Sequence, residues 1–395
     1  LIDLASVRAD TPACAERIFL DSAGSSLPPR PVLDEVVGHL RREAEVGGYR
    51  AAAERQDDLE AGYQVFADLL DCDPEEVAFT DSATRSWLSL VDSIPIEPGD
   101  RILISQVEYG ANGVALLRLA ERTGATLDVV PSDSSGQLDV DVLRAMLDEQ
   151  VKLVSLVHVP TNGGLVNPVK EVVEAAHSVG ALVLLDACQS VGQLPVFVAE
   201  SGVDMLAGTG RKWLRGPRGT GFLVLRKAAA EKLEPRLFDH SGATWEKPGE
   251  YSLREDARVF ELWESSIADR LGLIAAARYA LDLGVKEIAA EVAARAERAR
   301  AGLADTPGVR VLDLGVQHCG LVSFTVDGVA NETVRDTLAE RDITVTVSTP
   351  GGSRIDMDTR GLSGLVRASP HYFVSDEQID SFCSAVAGLA GARHT

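Results

Sequence analysis

Cysteine is scarce and scattered in this chain: five residues, at positions 14, 72, 188, 319 and 383. The number is odd and no two form a CxxC pair, which argues against a disulfide framework or a zinc site, so no metal is expected. Long apolar runs are missing too. None reaches the roughly 18–20 residues that a membrane-spanning helix needs, which leaves no membrane role to expect. The opening Leu1-Ile-Asp-Leu-Ala-Ser-Val-Arg8 lacks the basic segment and long apolar stretch of a secretory signal, so the cytoplasm is the expected compartment. Positive charge is in deficit, with 38 Lys and Arg against 60 Asp and Glu for a net charge of −22. Such a surface repels phosphate backbones, and nucleic acid is not an expected partner. No internal repeat or low-complexity tract interrupts the pattern.

What is present is a long alternation of short apolar runs and helical stretches. From Val77-Ala-Phe-Thr80 to Gly221-Phe-Leu-Val-Leu225 the apolar runs Arg101–Ser105, Thr126–Val130, Lys152–Val159, Ala181–Asp186 and Val203–Ala207 are separated by segments with helical character. This predicts an α/β fold with a mostly parallel sheet covered on both faces. A long Ala/Arg/Glu-rich helical region is predicted from Ser266 to about Leu303, and another helix from Asp139 to Gln150. Strand-like runs at Val309–Leu312, Gly320–Val326 and Ile343–Val347 and a final helix from about Ser375 to Leu389 follow. A chain of 395 residues is too long for one small core. The expected division is a large α/β domain over residues 22–265 and a smaller α+β domain made of 1–21 and 266–395.

Two apolar runs end in residues that carry chemistry. Ala181-Leu-Val-Leu-Leu-Asp186 closes on a carboxylate, and Asp204-Met-Leu-Ala-Gly-Thr-Gly-Arg-Lys212 closes on a lysine followed by a Gly/Pro-rich turn. Ligands of open α/β sheets sit at the C-terminal ends of the strands, where both fall. Glycines there let the backbone approach a bulky ligand. A lysine desolvated beside cationic neighbours loses its proton more readily and becomes an amine nucleophile. The pair points to pyridoxal 5'-phosphate (PLP): the amine of Lys212 would hold the aldehyde as a Schiff base and Asp186 would keep the pyridine nitrogen protonated. The plain structural alternatives are a surface lysine and a helix-capping aspartate.

With these residues in order, the chain resembles fold-type-I PLP enzymes of the class V aminotransferase and cysteine desulfurase superfamily, from Phe19-Leu-Asp-Ser-Ala-Gly-Ser25 to Arg367-Ala-Ser-Pro-His-Tyr-Phe373. The resemblance implies roles residue by residue. Ser82, Ala83 and Thr84 match the phosphate cup at a helix N-terminus. Thr209 and Arg211 fall where relatives place a hydroxyl and a basic residue on the phosphate. Gln189 matches a glutamine on the cofactor's 3-oxygen. Tyr109 stands where desulfurases carry a ring-stacking, proton-moving histidine; tyrosine still stacks but is a poorer proton carrier near neutral pH. Thr161 and Asn162 fall near the cofactor oxygen and substrate, with either one able to make the contact, whereas His158 reads as a packed strand-end histidine. Arg367 matches the arginine that grips the substrate α-carboxylate, with Ala23 and Gly24 lying against the same group. Relatives form homodimers whose active site lies at the subunit interface, so the same is expected here.

The reaction is read from what the active-site loop lacks. A desulfurase needs a nucleophilic cysteine before the carboxylate arginine, and Ser348 to Gly364 contains none. The Glu-Tyr-Gly-Ala-Asn, Pro-Thr-Asn-Gly-Gly and Arg-Ala-Ser-Pro-His-Tyr segments look most similar to an actinobacterial branch. That branch includes the carbon–sulfur lyase of ergothioneine synthesis and enzymes handling cysteine S-conjugates in lincosamide antibiotic pathways. It implies a lyase that performs β-elimination on an S-substituted L-cysteine, with Lys212 removing the Cα proton and thiol, pyruvate and ammonia as products. Decarboxylation-coupled oxidative deamination of the same conjugates is the alternative, followed by transamination, epimerisation and a non-catalytic PLP-binding protein.

Overall fold

The computed structural model describes residues 2–391. After the short β1 (Ile18–Phe19) come β2 (Val77–Thr80), β3 (Arg101–Ser105), β4 (Thr126–Val130), β5 (Val151–Val157), β6 (Leu182–Asp186), β7 (Met205–Thr209) and β8 (Gly221–Leu225). These last seven form one sheet in the order β2-β8-β7-β6-β5-β3-β4. From β7 to β4 every neighbour is parallel, while β8 runs antiparallel to both β7 and β2. The sheet is therefore mostly parallel. Its central strands are continuous apolar runs because both faces are covered: Val183 and Leu185 join one hydrophobic cluster, Leu182 and Leu184 the other.

A hairpin of β9 (Ala243–Lys247) and β10 (Glu250–Leu253) projects with mostly exposed side chains. Beyond it, β11 (Val309–Val311), β12 (Val322–Val326), β13 (Ile343–Thr344), β14 (Thr346–Ser348) and β15 (Leu365–Ala368) complete the strands. An antiparallel sheet has the order β11-β12-β15-β14, and β13 pairs in parallel with β1. The N-terminal segment is thus stitched to the C-terminal one. Arg8 donates to the Phe373 carbonyl (2.9 Å) and to Gln378 (2.8 Å), and a bridge joins Asp21 to Ser369.

Three predicted elements differ from the structure, each for a local reason. The long helical region is two helices, Ile267–Leu283 and Val285–Ala304, separated at Gly284, whose φ of 84° no right-handed helix accommodates. The first of the two packs against the helices Arg30–Val46 and Gln56–Leu70. The run Ile343–Val347 divides between β13 and β14, which pair with different partners. The helix predicted over 139–150 forms only across Val140–Met146; Asp139 caps it by accepting from the amides of Asp141 and Val142.

Candidate active site

The C-terminal ends of β5, β6 and β7 converge on one cavity. It is lined by Ser82, Ala83, Thr84, Tyr109, Thr161, Asp186, Cys188, Gln189, Thr209, Arg211 and Lys212. Side chains from five separated stretches of sequence meet there.

Ser82 caps the helix Ala83–Asp92, accepting from the Arg85 amide at 3.2 Å, and leaves the first turn of that helix facing the cavity. Gly221 makes this cup possible: a Cβ there would lie 2.2 Å from the Ser82 carbonyl carbon. Such a helix terminus is a site for a dianionic phosphate. Thr209 is buried beside it and donates to the Thr220 carbonyl at 3.3 Å.

Asp186 ends β6 with 7% of its surface exposed. One carboxylate oxygen accepts from the Cys188 amide (3.0 Å) and the other from Asn112 Nδ2 (2.9 Å). Lys212 follows β7, and its Nζ makes no hydrogen bond or ion pair among the described residues. Burial lowers its pKa, and the charges of Arg211 and Arg367 add to this against the pull of Cys188 and Asp186. An unpaired amine with a depressed pKa is suited to nucleophilic attack on a carbonyl.

Arg367 is buried, 6% exposed. One terminal nitrogen donates to the Thr161 carbonyl (2.9 Å) and hydroxyl (3.1 Å), and the other approaches Asp21 at 3.3 Å. Its Nε has no partner among the described residues. A guanidinium with a buried free donor fits a carboxylate ligand. Ala23 and Gly24 lie close by: the Ala23 carbonyl accepts from Gln189 at 3.0 Å and the Gly24 carbonyl accepts from Arg211.

Several of the predicted residues also have partners within the protein. Arg211 lines the cavity, but its guanidinium is tied to the Gly24 carbonyl on the N-terminal segment, and this contact lends nothing to a phosphate clamp. Gln189 is engaged at both ends of its amide, donating to Ala23 and accepting from the Trp213 indole at 2.9 Å. Of the pair left open, Thr161 faces the cavity, whereas Asn162 turns its amide to Met357 Sδ at 3.0 Å. Tyr109 lines the cavity and is 38% exposed. His158 packs with its pKa pushed down to about 4 by burial, consistent with a structural residue.

Three residues escaped sequence reading. Glu108 and Asn112 are buried behind Asp186. Their i,i+4 spacing at a helix start was the available signal, but spacing alone does not say what they face. Cys188 lies just beyond the end of β6, two residues after Asp186, with no local pattern that marks it as part of a site. It lines the cavity, and burial, reinforced by Asp186, raises its pKa well above the ordinary thiol value. It is held as a neutral thiol.

The donor set fits PLP: a helix-terminal cup for the phosphate, a buried acid for the ring nitrogen and an unpaired lysine for the aldehyde. Fold and site together define a fold-type-I PLP-type enzyme architecture. The chain belongs to the class V aminotransferase family, whose model matches residues 18–382. It is 30% identical to a probable cysteine desulfurase of Mycolicibacterium paratuberculosis over 99% of this chain, and spans 58% of that relative's length. Among solved structures, apo cysteine desulfurase from Thermococcus onnurineus superposes with a TM-score of 0.91 at 27% identity, covering 99% of this chain and 98% of that one. The cystine C–S lyase C-DES superposes with a TM-score of 0.87 at 25% identity, covering 96% of this chain and 98% of that one, in a mutant with glycine covalently linked to its PLP cofactor. A second C-DES structure holds its reaction product, cysteine persulfide.

Proposed function

We propose that this protein is a PLP-dependent carbon–sulfur lyase acting by β-elimination on an S-substituted L-cysteine, in thiol or secondary-metabolite biosynthesis. The observation that carries the reading is Lys212 in the cavity with Arg367 close enough to act on its charge and bonded to Thr161 of the same lining, and a segment before Arg367, Ser348 to Gly364, that contains no thiol. The cofactor is PLP, which when bound supplies an aldehyde for amines and an electron sink for negative charge at the substrate Cα.

The protein's own contribution is positioning and proton transfer. Arg367, steadied by Thr161, grips the α-carboxylate and fixes the torsion about the Cα–N bond. Holding the carboxylate in one plane leaves the Cα–H bond upright and exposed to Lys212. Lys212 Nζ, its pKa lowered by burial, takes that proton. Electron flow to Cβ then expels the sulfur as thiolate, which leaves as the thiol. Water completes the balance: one substrate and one water give thiol, pyruvate and ammonia. Decarboxylation requires the carboxylate to leave the plane in which Arg367 holds it.

A second reading has one observation behind it. Cys188 is a thiol in the cavity, and the relatives are named for desulfuration, which would yield alanine instead of pyruvate. Its raised pKa argues against it as a nucleophile. We also propose a homodimer with the site at the interface. Exposed Tyr49 (85%) and Trp263 (56%) line one groove, and Trp245 (78%) sits on the nearby hairpin.

Purified protein should be yellow, and Lys212→Ala should abolish the visible band. With an S-alkyl cysteine, pyruvate and free thiol in equal amounts are expected. Alanine would mean desulfuration; carbon dioxide with a sulfur-linked aldehyde would mean the oxidative decarboxylase; a keto acid retaining the sulfur would mean a transaminase. A colourless wild type that takes up no PLP overturns every enzyme reading.

A further inference from the structure

Behind the strand-end acid lies a buried polar chain that the proposed mechanism does not use. Asn112 Nδ2 donates one hydrogen to Asp186 (2.9 Å) and the other to Glu108 Oε1 (3.0 Å). Glu108 Oε1 also accepts from the Tyr109 amide at 2.8 Å, and its Oε2 accepts from the Ser155 hydroxyl at 2.9 Å. Glu108, Asn112 and Ser155 are 4%, 6% and 0% exposed. Two carboxylates thus accept from a single amide nitrogen. The amide has no freedom to flip, because its oxygen would then oppose both acids. Two buried like charges so close resist joint ionisation. Burial, with Asp186 adding to it, pushes Glu108 up to about 7, against the hydrogen bonds from Ser155, Asn112 and the Tyr109 amide.

We infer that Glu108 and Asn112 are positioning residues for Asp186: Asn112 holds its carboxylate in one orientation, and Glu108, anchored by Ser155 and the Tyr109 amide, holds Asn112. The inference rests on the reading that Asp186 engages the PLP pyridine. The same chain passes through the Tyr109 backbone, so Tyr109 and Asp186 are set by one network.

The test uses purified holoenzyme, with PLP dissociation constant, visible-band position and thermal midpoint as readouts. Asn112→Leu and Glu108→Leu should weaken PLP binding about tenfold or more, the size of one lost hydrogen bond to a charged group, and shift the band. Glu108→Gln should stay within about twofold, because its carbonyl still accepts from Asn112 and Tyr109 while its amide donates to Ser155. Folded Asn112→Leu protein with wild-type affinity and band overturns the inference. If that variant does not fold, Asn112→Ala decides by the same criterion. Asp186→Ala separates the two levels. If it binds PLP like wild type, the role of Asp186 itself fails and this inference with it. If Asp186→Ala is impaired but the Asn112 variants are not, the positioning role alone fails.

Discussion

Glu108 shows at the scale of one residue how burial converts an ordinary acid into a pH-sensitive element. Its pKa rises from 4.5 to about 7, so the folded state favours the protonated form. The associated stability is fully present below about pH 4.5 and is lost as pH rises through about 7; the shift corresponds to about 3 kcal/mol. Glu108→Gln should therefore flatten the decline of the thermal midpoint between about pH 5 and pH 8 relative to wild type, whereas an unchanged profile would mean that another group governs it. Lys212 and Asp186 were legible in sequence because each ends an apolar run. Glu108 was not, because its partners Ser155 and Asp186 come from other strands, and no local pattern records a contact between strands.

At the scale of elements, the loop after β5 depends on packing that reaches into the second sheet. Asp313 accepts from Arg300 (2.7 Å), from the Ser323 hydroxyl (2.6 Å) and from the Gly164 amide (3.2 Å). Arg300 in turn donates to the Cys319 and Leu321 carbonyls (2.6 and 2.5 Å). A Cβ on Gly164 would lie 2.6 Å from Arg300 Nη2 and 2.8 Å from the Leu321 carbonyl oxygen. The arginine tip can shift, but the strand backbone has little room. Gly164→Ala should cost about 1–3 kcal/mol in urea unfolding and raise KM more than it lowers kcat, since the loop presents Thr161 to Arg367. A KM equal to wild type would separate the loop's anchor from substrate binding. The strands of the large sheet were readable as apolar runs, and the break at Gly284 was written in the sequence as a glycine. What spacing could not show was that this glycine takes a positive φ instead of a helical one.

Across the whole molecule, Arg215 joins three distant parts of the chain. It is 1% exposed and follows Lys212 by one turn, donating to the Leu27 carbonyl and the Tyr372 hydroxyl (both 2.8 Å) and to Thr11 Oγ1 (2.5 Å). Its guanidinium also lies 4.5 Å from the Phe373 ring centroid. Arg215→Met should destabilise by about 3 kcal/mol or more, because it strands several buried acceptors at once; urea unfolding measures this, and a loss under about 1 kcal/mol would show the link to be dispensable. The fold class and the acid–lysine pair were determined by the sequence alone, since strand periodicity and strand-end chemistry are local and survive in one dimension. The tertiary structure alone decided that Thr161 and not Asn162 faces the cavity, that Arg211 turns to Gly24, that Cys188 lines the site and that Glu108 stands behind Asp186. Those outcomes depend on which strand lies beside which and on what each burial excludes from water, and neither is encoded by neighbours along the chain.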